Sequence, residues 1–190
     1  MQQILLIDNY DSFTHNLIQL LEESGIPNNL NIITNDIDMS LAPIGVDKVI
    51  ISPGPGLPHE AGNLLQLITF YADWTSMLGI CLGHQAIAVA YGAKLKQLRH
   101  SAHGIGSPIK QLQNDSLFSG IDEMIICGRY HSWVIDEDTL PDVINVTARD
   151  SDTNIMAISH KILSIKGLQF HPESYMTQFG KQIIRNWLSE

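Results

Sequence analysis

Basic residues are missing from the first quarter of this chain. No lysine or arginine precedes Lys48, whereas the first 47 residues contain seven acids: Asp8, Asp11, Glu22, Glu23, Asp36, Asp38 and Asp47. This segment therefore carries seven of the nine net negative charges of the 190-residue chain. Such a field disfavours nucleic acid and anionic membrane surfaces as partners of this end of the molecule.

Cysteines and long apolar runs are scarce as well. Two cysteines, Cys81 and Cys127, are too few for a disulfide framework and fit a reducing compartment. The most apolar window, 77–93, is interrupted by His84, Gln85 and three glycines, whereas a spanning helix needs about 18–20 continuous apolar residues. The N-terminus also lacks the basic region of a secretory signal. We therefore expect a cytoplasmic protein that has no membrane partner.

Buried-strand patterns alternate with helical patterns in the first half of the chain. Strands are predicted at 4–8, 31–34, 48–52 and 75–81, and helices at 11–23 (capped by Asp11 or Ser12), 63–72 and 84–91. The second half is typical of hairpins, with strands at 93–97, 124–128, 143–149, 155–159 and 162–170 before a helix at 177–188. This order predicts an α/β fold: a largely parallel open sheet flanked by helices on both faces, with an added antiparallel portion. Without a repeat or linker, residues 1–190 are expected to form a single domain.

A cysteine lies at one of the predicted strand-to-helix turns. Gly79 and Gly83 flank Cys81 in a Gly-x-Cys-x-Gly pattern, which is the thiol version of a nucleophile elbow. Small neighbours permit a strained turn, the following helix N-terminus favours a thiolate, and the N–H of Leu82 is left to stabilise an oxyanion. Taken alone, the pattern fits a small buried core cysteine equally well.

A thiol nucleophile needs a base and a group that orients the base. In His171-Pro172-Glu173, residues i and i+2 of an extended segment project to one face, so Glu173 can hold the imidazole of His171. An isolated His-Pro-Glu is more often an exposed pair at a strand end. Parallel strands, however, bring their carboxyl ends to one edge of the sheet, where this segment could meet Cys81.

A rigid loop follows the third predicted strand. In the run 52–58, the prolines remove donors and leave the N–H groups of Gly54 and Gly56 as the amides between Pro53 and Leu57. Such a loop can supply part of an oxyanion hole, although a plain rigid turn is the simpler interpretation. It lacks the lysine of a phosphate-binding loop.

Metal ligands are not expected. Cys81-x-x-His84 and His100-x-x-His103 have ligand-like spacing, but neither has a second ligand pair at a suitable distance. Cys127 is expected to be an inert buried thiol.

Five motifs, in this order, closely resemble the class I glutamine amidotransferases that use a Cys-His-Glu triad. They are Asp8-Asn-Tyr-Asp-Ser-Phe-Thr14, Ile51-Ser-Pro-Gly-Pro-Gly56, Gly79-Ile-Cys-Leu-Gly-His-Gln85, Gly128-Arg-Tyr-His-Ser132 and Gln169-Phe-His-Pro-Glu-Ser174. Within that family they look like the glutaminase subunits of anthranilate synthase and aminodeoxychorismate synthase. The resemblance runs from residue 8 to the last helix.

The resemblance implies an activity, partners and site residues. Glutamine would be hydrolysed to glutamate, and the ammonia would pass to a chorismate-binding synthase subunit (component I), with no cofactor in this subunit. Cys81 would form a γ-glutamyl thioester, with His171 as general base and acid, oriented by Glu173. Further implied roles are the oxyanion hole for Gly54 and Leu82 and substrate binding for Gln85, Ser132, Trp133 and Gly56.

Three departures from the family pattern accompany this resemblance. Ile105-Gly106 stands where a lysine usually follows His-Gly, Trp133 replaces a common leucine, and Tyr175-Met176 replaces an aliphatic pair. None of these departures removes a catalytic group.

Several functions are compatible with the five motifs. We expect the glutaminase subunit of anthranilate synthase, in tryptophan biosynthesis; the alternative is that of aminodeoxychorismate synthase, in folate biosynthesis. A stand-alone hydrolase that uses a cysteine nucleophile on γ-glutamyl compounds is a third possibility. A silent regulatory subunit is a fourth, and the intact triad argues against it.

Overall fold

A computed structural model describes all 190 residues. It contains nine strands: β1 (Gln2–Asp8), β2 (Asn28–Thr34), β3 (Lys48–Ile51), β4 (Ser76–Ile80), β5 (Leu95–Gln111), β6 (Met124–Ile135), β7 (Ile144–Asp150), β8 (Ile155–His160) and β9 (Ile165–Leu168). The α-helices are α1 (Thr14–Glu23), α2 (Leu64–Tyr71), α3 (Leu82–Ala90) and α4 (Gly180–Leu188). Short 3₁₀ turns lie at Met39–Leu41, Pro58–Glu60, Ser116–Phe118 and Glu137–Thr139.

All nine strands form one mixed sheet in the order β2-β1-β3-β4-β9-β8-β7-β5-β6. The pairs from β2 to β9 are parallel, and the pairs from β9 to β6 are antiparallel. The parallel-plus-antiparallel α/β fold predicted from the sequence is therefore confirmed.

Alternate residues of the parallel strands enter two apolar layers, one on each face of the sheet. Ile4 and Leu6 of β1 pack with α1 and α4, whereas Leu5 and Ile7 pack with α2 and α3. Trp187, on α4, is among the largest fully buried side chains. Because both faces are covered, β1, β3 and β4 carry nearly continuous apolar runs.

The carboxyl ends of β1, β3, β4 and β9 meet at one edge of the sheet, which we call the catalytic edge. The 9–13 turn, the 52–57 loop, Cys81 and the 169–173 segment follow these four strands directly. Four stretches that are distant in sequence therefore converge at this edge.

Several predicted boundaries are wrong. The strand predicted at 93–97 extends as β5 to Gln111, and the strand predicted at 124–128 extends as β6 to Ile135. The last helix begins at Gly180 rather than at 177. Phe13, and not Asp11 or Ser12, occupies the N-cap of α1, while the carboxylate of Asp11 accepts the N–H of Phe13 at 2.7 Å. The four α-helices lack the length and the apolar character of a membrane-spanning segment.

Candidate active site

Cys81 lies between β4 and α3 in a backbone conformation that residues other than glycine rarely adopt. Its φ is +52° and its ψ is −99°. A Cβ on Gly79 would lie 2.5 Å from the carbonyl carbon of Gly83, and a Cβ on Gly83 would lie 2.8 Å from the carbonyl oxygen of Ile51. Only glycine fits at these two positions, so the strand and the helix can approach closely enough to hold the strained turn.

His171 and Glu173 form a buried pair beside Cys81. Nδ1 of His171 lies 2.6 Å from Oε1 of Glu173, and their side chains are 3% and 0% exposed. Burial alone would lower the pKa of His171, but the nearby Cys81 sulfur and the hydrogen-bonded Glu173 carboxylate outweigh it and raise this pKa above its ordinary value. Nε2 of His171 makes no formed hydrogen bond within the chain, as is common for a nucleophile and base without substrate.

The imidazole of His171 is enclosed by aromatic rings for which the sequence predicted no role. The ring centroids of Phe13 and Tyr130 lie 5.7 and 4.9 Å from it, both edge-on. Asp11 is half-buried near the same pair, and desolvation raises the pKa of its carboxyl group. These aromatic neighbours restrict the rotation of the imidazole and exclude water from one side of it.

The 52–57 loop presents free amides at the catalytic edge. The N–H groups of Gly54 and Gly56 donate no hydrogen bond within the chain, and Leu82, as the first residue of α3, has no acceptor inside its helix. A Cβ on Gly54 would lie 2.5 Å from Cβ of Asn9 and 2.7 Å from Cδ2 of Leu82. The loop therefore packs directly against the start of α3.

A buried polar network fixes this loop. The N–H of Asn9 donates to Oγ of Ser52 at 2.8 Å, and its side-chain amide donates to the Ser52 carbonyl at 2.7 Å. The Asn35 amide in turn donates to Oδ1 of Asn9 at 3.0 Å. The sequence motif contains Asn9, but its spacing gave no indication of this supporting role.

A cavity of about 430 Å³ is lined in part by Cys81. It is lined by all the residues for which the resemblance implied oxyanion-hole or substrate-binding roles: Gly54, Gly56, Leu82, Gln85, Ser132 and Trp133. Glu60, Tyr130 and His131 also line it and were not predicted. The volume and the mixture of polar groups suit a small amino acid rather than an extended ligand.

The carbonyl of Trp133 is committed within the fold. It accepts hydrogen bonds from Nε2 of Gln85 at 2.8 Å and from Nδ1 of His131 at 3.1 Å. Oγ of Ser132 donates to Oγ of Ser101 at 2.9 Å. The Trp133 carbonyl already accepts two hydrogen bonds. The substrate-binding role expected of the 132–133 backbone is therefore left to its other polar groups.

A buried ion pair supports the Trp133 carbonyl from the antiparallel side. Nη1 of Arg129 lies 2.8 Å from Oδ2 of Asp150, with side chains 7% and 0% exposed, and Nε of Arg129 donates to Nε2 of His131 at 3.1 Å. Burial first, and then the Arg129 charge, lower the pKa of His131 to about 3. His131 is therefore neutral, with its proton on Nδ1.

The two ligand-like spacings do not assemble a metal site. The structure holds no group of three or more histidine, cysteine or acidic side chains arranged to bind an ion. His84 is fully buried, and desolvation lowers its pKa to about 3, so it is a neutral core residue. Cys127 is also fully buried, and desolvation raises the pKa of its thiol strongly.

Comparisons with known proteins agree with this geometry. Residues 5–190 match the family model described as glutamine amidotransferase class-I, so the chain belongs to that family. It is 42% identical over 189 residues to "Aminodeoxychorismate/anthranilate synthase component 2" of Bacillus subtilis (strain 168), covering 97% of this chain and 95% of the relative. It is 43% identical over 189 residues to "Aminodeoxychorismate synthase component 2" of Escherichia coli (strain K12), covering 97% and 98%.

A solved structure supports the fold independently. A protein of Thermoplasma acidophilum, described as a GMP synthase subunit, superposes with a TM-score of 0.88 at 30% identity. The match covers 100% of this chain and 93% of that one. The overall arrangement of strands and helices is thus shared by a protein that is named for a different synthase.

Proposed function

We propose that this protein is a glutaminase subunit that hydrolyses L-glutamine on Cys81 and delivers ammonia to a chorismate-aminating synthase subunit. The observation that carries the proposal is the buried His171–Glu173 pair beside a strained cysteine, at the mouth of a cavity lined by an unpaired Gly54 amide. Cys81, His171 and Glu173 are the proposed catalytic residues.

In the first half-reaction the Cys81 thiolate attacks the side-chain carbonyl carbon of glutamine. A carbon–sulfur bond forms, and the oxyanion is stabilised by the N–H groups of Gly54 and Leu82. Protonated His171 then gives its proton to the leaving nitrogen, the carbon–nitrogen bond breaks, and ammonia departs. A γ-glutamyl thioester remains on Cys81.

In the second half-reaction neutral His171 takes a proton from water as the water oxygen attacks the thioester. The same two amides stabilise the second oxyanion. The carbon–sulfur bond breaks, the thiolate and the imidazolium are regenerated, and the released acid ionises to glutamate. Glu173 keeps the proton of His171 available at Nε2 by accepting the N–H at Nδ1.

Gln85, Gly56 and the backbone at Ser132 and Trp133 are proposed to hold the amino-acid end of glutamine. All four line the same cavity as Cys81. Because the Trp133 carbonyl has two internal donors, the other polar groups of this stretch are the ones available to the ligand.

The proposed partner is component I of anthranilate synthase, or component I of aminodeoxychorismate synthase. One relative is named for both complexes at 42% identity, and another for aminodeoxychorismate synthase at 43%. The product is determined by the synthase, so a single glutaminase subunit can serve both. We further propose that residues 1–190 act as one domain in the cytoplasm, where two free thiols are stable.

Reconstitution tests this proposal. The protein is mixed separately with an anthranilate synthase component I and an aminodeoxychorismate synthase component I, and glutamine-dependent product is measured. We expect product with at least one synthase, and loss of glutamine-dependent product with Cys81→Ala while ammonia-dependent product persists. Product from glutamine with Cys81→Ala would disprove the assigned nucleophile.

The free-standing activity distinguishes an ammonia donor from a γ-glutamyl hydrolase. An ammonia donor should hydrolyse glutamine slowly alone and faster with its synthase. A γ-glutamyl hydrolase should be fast alone and unaffected by either synthase, and that result would overturn the partner assignment.

A further inference from the structure

A second side chain, besides His171, contacts the sulfur of Cys81. Gln169 directly follows β9 and is 0% exposed. Its side-chain nitrogen, Nε2, lies 3.7 Å from Sγ of Cys81, within hydrogen-bonding range of sulfur. Its side-chain oxygen, Oε1, accepts Nε2 of Gln85 at 3.1 Å.

The orientation of the Gln169 amide is fixed by its neighbours. The Trp133 carbonyl can only accept, so the group of Gln85 that faces it must be the NH₂. The same NH₂ faces Gln169, and the group of Gln169 that faces it must therefore be the oxygen. The opposite end of that amide, which is the NH₂, then points at the sulfur.

The position of the proton on His131 is consistent with these orientations of the Gln85 and Gln169 amides. Arginine can only donate, so Nε2 of His131 accepts from Arg129 and its Nδ1 carries the proton that is donated to the Trp133 carbonyl. Two donors therefore converge on that carbonyl. Reversing the Gln169 amide alone would place its NH₂ group against the NH₂ group of Gln85. Reversing both amides would place the side-chain oxygen of Gln85 against the Trp133 carbonyl oxygen.

We propose that Gln169 is a further catalytic residue, which donates a hydrogen bond to the Cys81 sulfur and stabilises its thiolate form. A thiolate is a better acceptor than a thiol, so a fixed donor favours the charged state. Unlike His171, the Gln169 amide cannot remove a proton from the sulfur, so the two side chains have different roles. His171 transfers protons, whereas Gln169 holds the sulfur anion and restrains its direction. This role rests on the proposed function of Cys81 as nucleophile.

Alkylation of Cys81 by iodoacetamide tests the proposal without requiring glutamine or a synthase. The rate is measured against pH for the wild type, Gln169→Met and Gln169→Glu. Methionine keeps much of the shape but has no donor, and glutamate keeps the acceptor for Gln85 while placing an oxygen at the sulfur. We expect the alkylation rate at pH 7 to fall about tenfold in Gln169→Met and further in Gln169→Glu, with both profiles displaced to higher pH.

The other titratable side chains around the site are unchanged in both variants. Those that line the cavity, interact with His171 or lie on α3 are Asp11, Glu60, His84, Tyr130, His131, His171 and Glu173. Cys127 serves as an internal control for folding, because it is fully buried and should resist alkylation in every folded variant. Unchanged profiles for Cys81, with Cys127 still protected, would overturn the proposal.

A measurement on the wild type tests the proposal even if the Gln169 variants fail to fold. With ¹⁵N-labelled glutamine side chains, the NH₂ resonances of Gln169 should move with the same apparent pH midpoint as Cys81 alkylation, and they should not move in Cys81→Ala. Static resonances over that pH range would overturn the proposal. If glutaminase activity is present and only these tests fail, Gln169 is excluded while the proposed function stands. Shifted profiles without glutaminase activity would instead support the Gln169 contact and overturn the proposed function.

Discussion

At the residue scale, the protonated form of His171 is stabilised by both Cys81 and Glu173. Replacing Glu173 with glutamine removes the carboxylate that accepts Nδ1–H. We expect kcat for glutamine hydrolysis to fall by about 10²–10⁴-fold, the usual contribution of a positioned acid and base, with a much smaller change in KM. Steady-state kinetics with the synthase present measures both. A loss confined to KM would show that Glu173 binds substrate and does not orient His171.

The same substitution has a defined effect on stability against pH. Because the folded chain raises the pKa of His171 above 6.5, the imidazolium contributes stability that is fully present below pH 6.5 and is lost as pH rises through the raised pKa. In a Cys81→Ala background, which removes the thiol titration, Glu173→Gln should reduce this loss by on the order of 1 kcal/mol. Denaturant unfolding from pH 6 to a pH above the raised pKa measures it. Parallel stability curves for the two variants would contradict the assignment.

Gly54 offers a residue-scale test of the oxyanion hole. A methyl group at this position would collide with Asn9 and Leu82, so the loop must move and carry the Gly54 N–H away from its position. We expect Gly54→Ala to lower kcat by about 10²–10³-fold. Gly106→Ala, where the added carbon would lie 3.1 Å from half-exposed Ile126, is the control and should retain activity. Equal activity of the two variants would remove Gly54 from the mechanism.

The three residues proposed to carry the chemistry can be selected from the sequence, whereas the contacts that support them cannot. Cys81, His171 and Glu173 follow from motifs whose spacing has a chemical reason. The contact of Gln169 with the sulfur joins β9 to the β4–α3 turn, and the anchoring of the Trp133 carbonyl joins β6 to α3. Such contacts depend on which strands become neighbours in the sheet, and no local pattern encodes that choice.

At the scale of elements, the ion pair between Arg129 of β6 and Asp150 of β7 holds the antiparallel strands beside the cavity. Arg129→Met should lower the free energy of unfolding by about 3–5 kcal/mol, because it leaves the Asp150 charge buried and unpaired. The matched control is Arg149→Met on β7, whose pair with half-exposed Glu137 should contribute less than about 1 kcal/mol. Denaturant unfolding compares the two, and equal losses would contradict the assigned role of burial.

The parallel strands β1, β3 and β4 were predicted well because they are buried on both faces and form nearly continuous apolar runs. Only three of the 17 residues of β5 fall within the predicted strand, because β5 lacks such burial. Most of its side chains are exposed or half-buried, so the alternation that marks a strand is missing. Gly104, Gly106 and Pro108 suggest a break in the sequence. In the structure, Gly104 lies at a register shift between His103 and Ile105, whereas Gly106 and Pro108 pair regularly with β6.

At the scale of the whole molecule, Asp8 and Asp11 of the acidic first quarter are engaged in hydrogen bonds within the turn after β1. The carboxylate of Asp8 accepts the Tyr10 N–H at 3.0 Å and the Thr14 hydroxyl at 2.8 Å, and Asp11 holds the N–H of Phe13. Substituting either acid would disturb the turn after β1 and would not isolate an effect on association. The exposed groups at the catalytic edge are aromatic instead: Tyr10 is 60% and Tyr175 is 89% exposed.

We therefore expect the synthase to cover Tyr10 and Tyr175, because ammonia released at Cys81 must pass from this edge into its partner. Tyr175→Ser and Tyr10→Ser should each weaken association with component I by about tenfold, in proportion to the apolar area that is lost. Glutamine hydrolysis by the isolated subunit should change little. Ile44 and Ile162, 81% and 87% exposed, precede β3 and β9 at the opposite edge, so Ile44→Ser and Ile162→Ser are the controls. Titration of synthase activity against subunit concentration gives the four affinities. Weaker binding by the isoleucine variants, with the tyrosine variants unaffected, would place the partner on the other edge and leave the ammonia without a direct route.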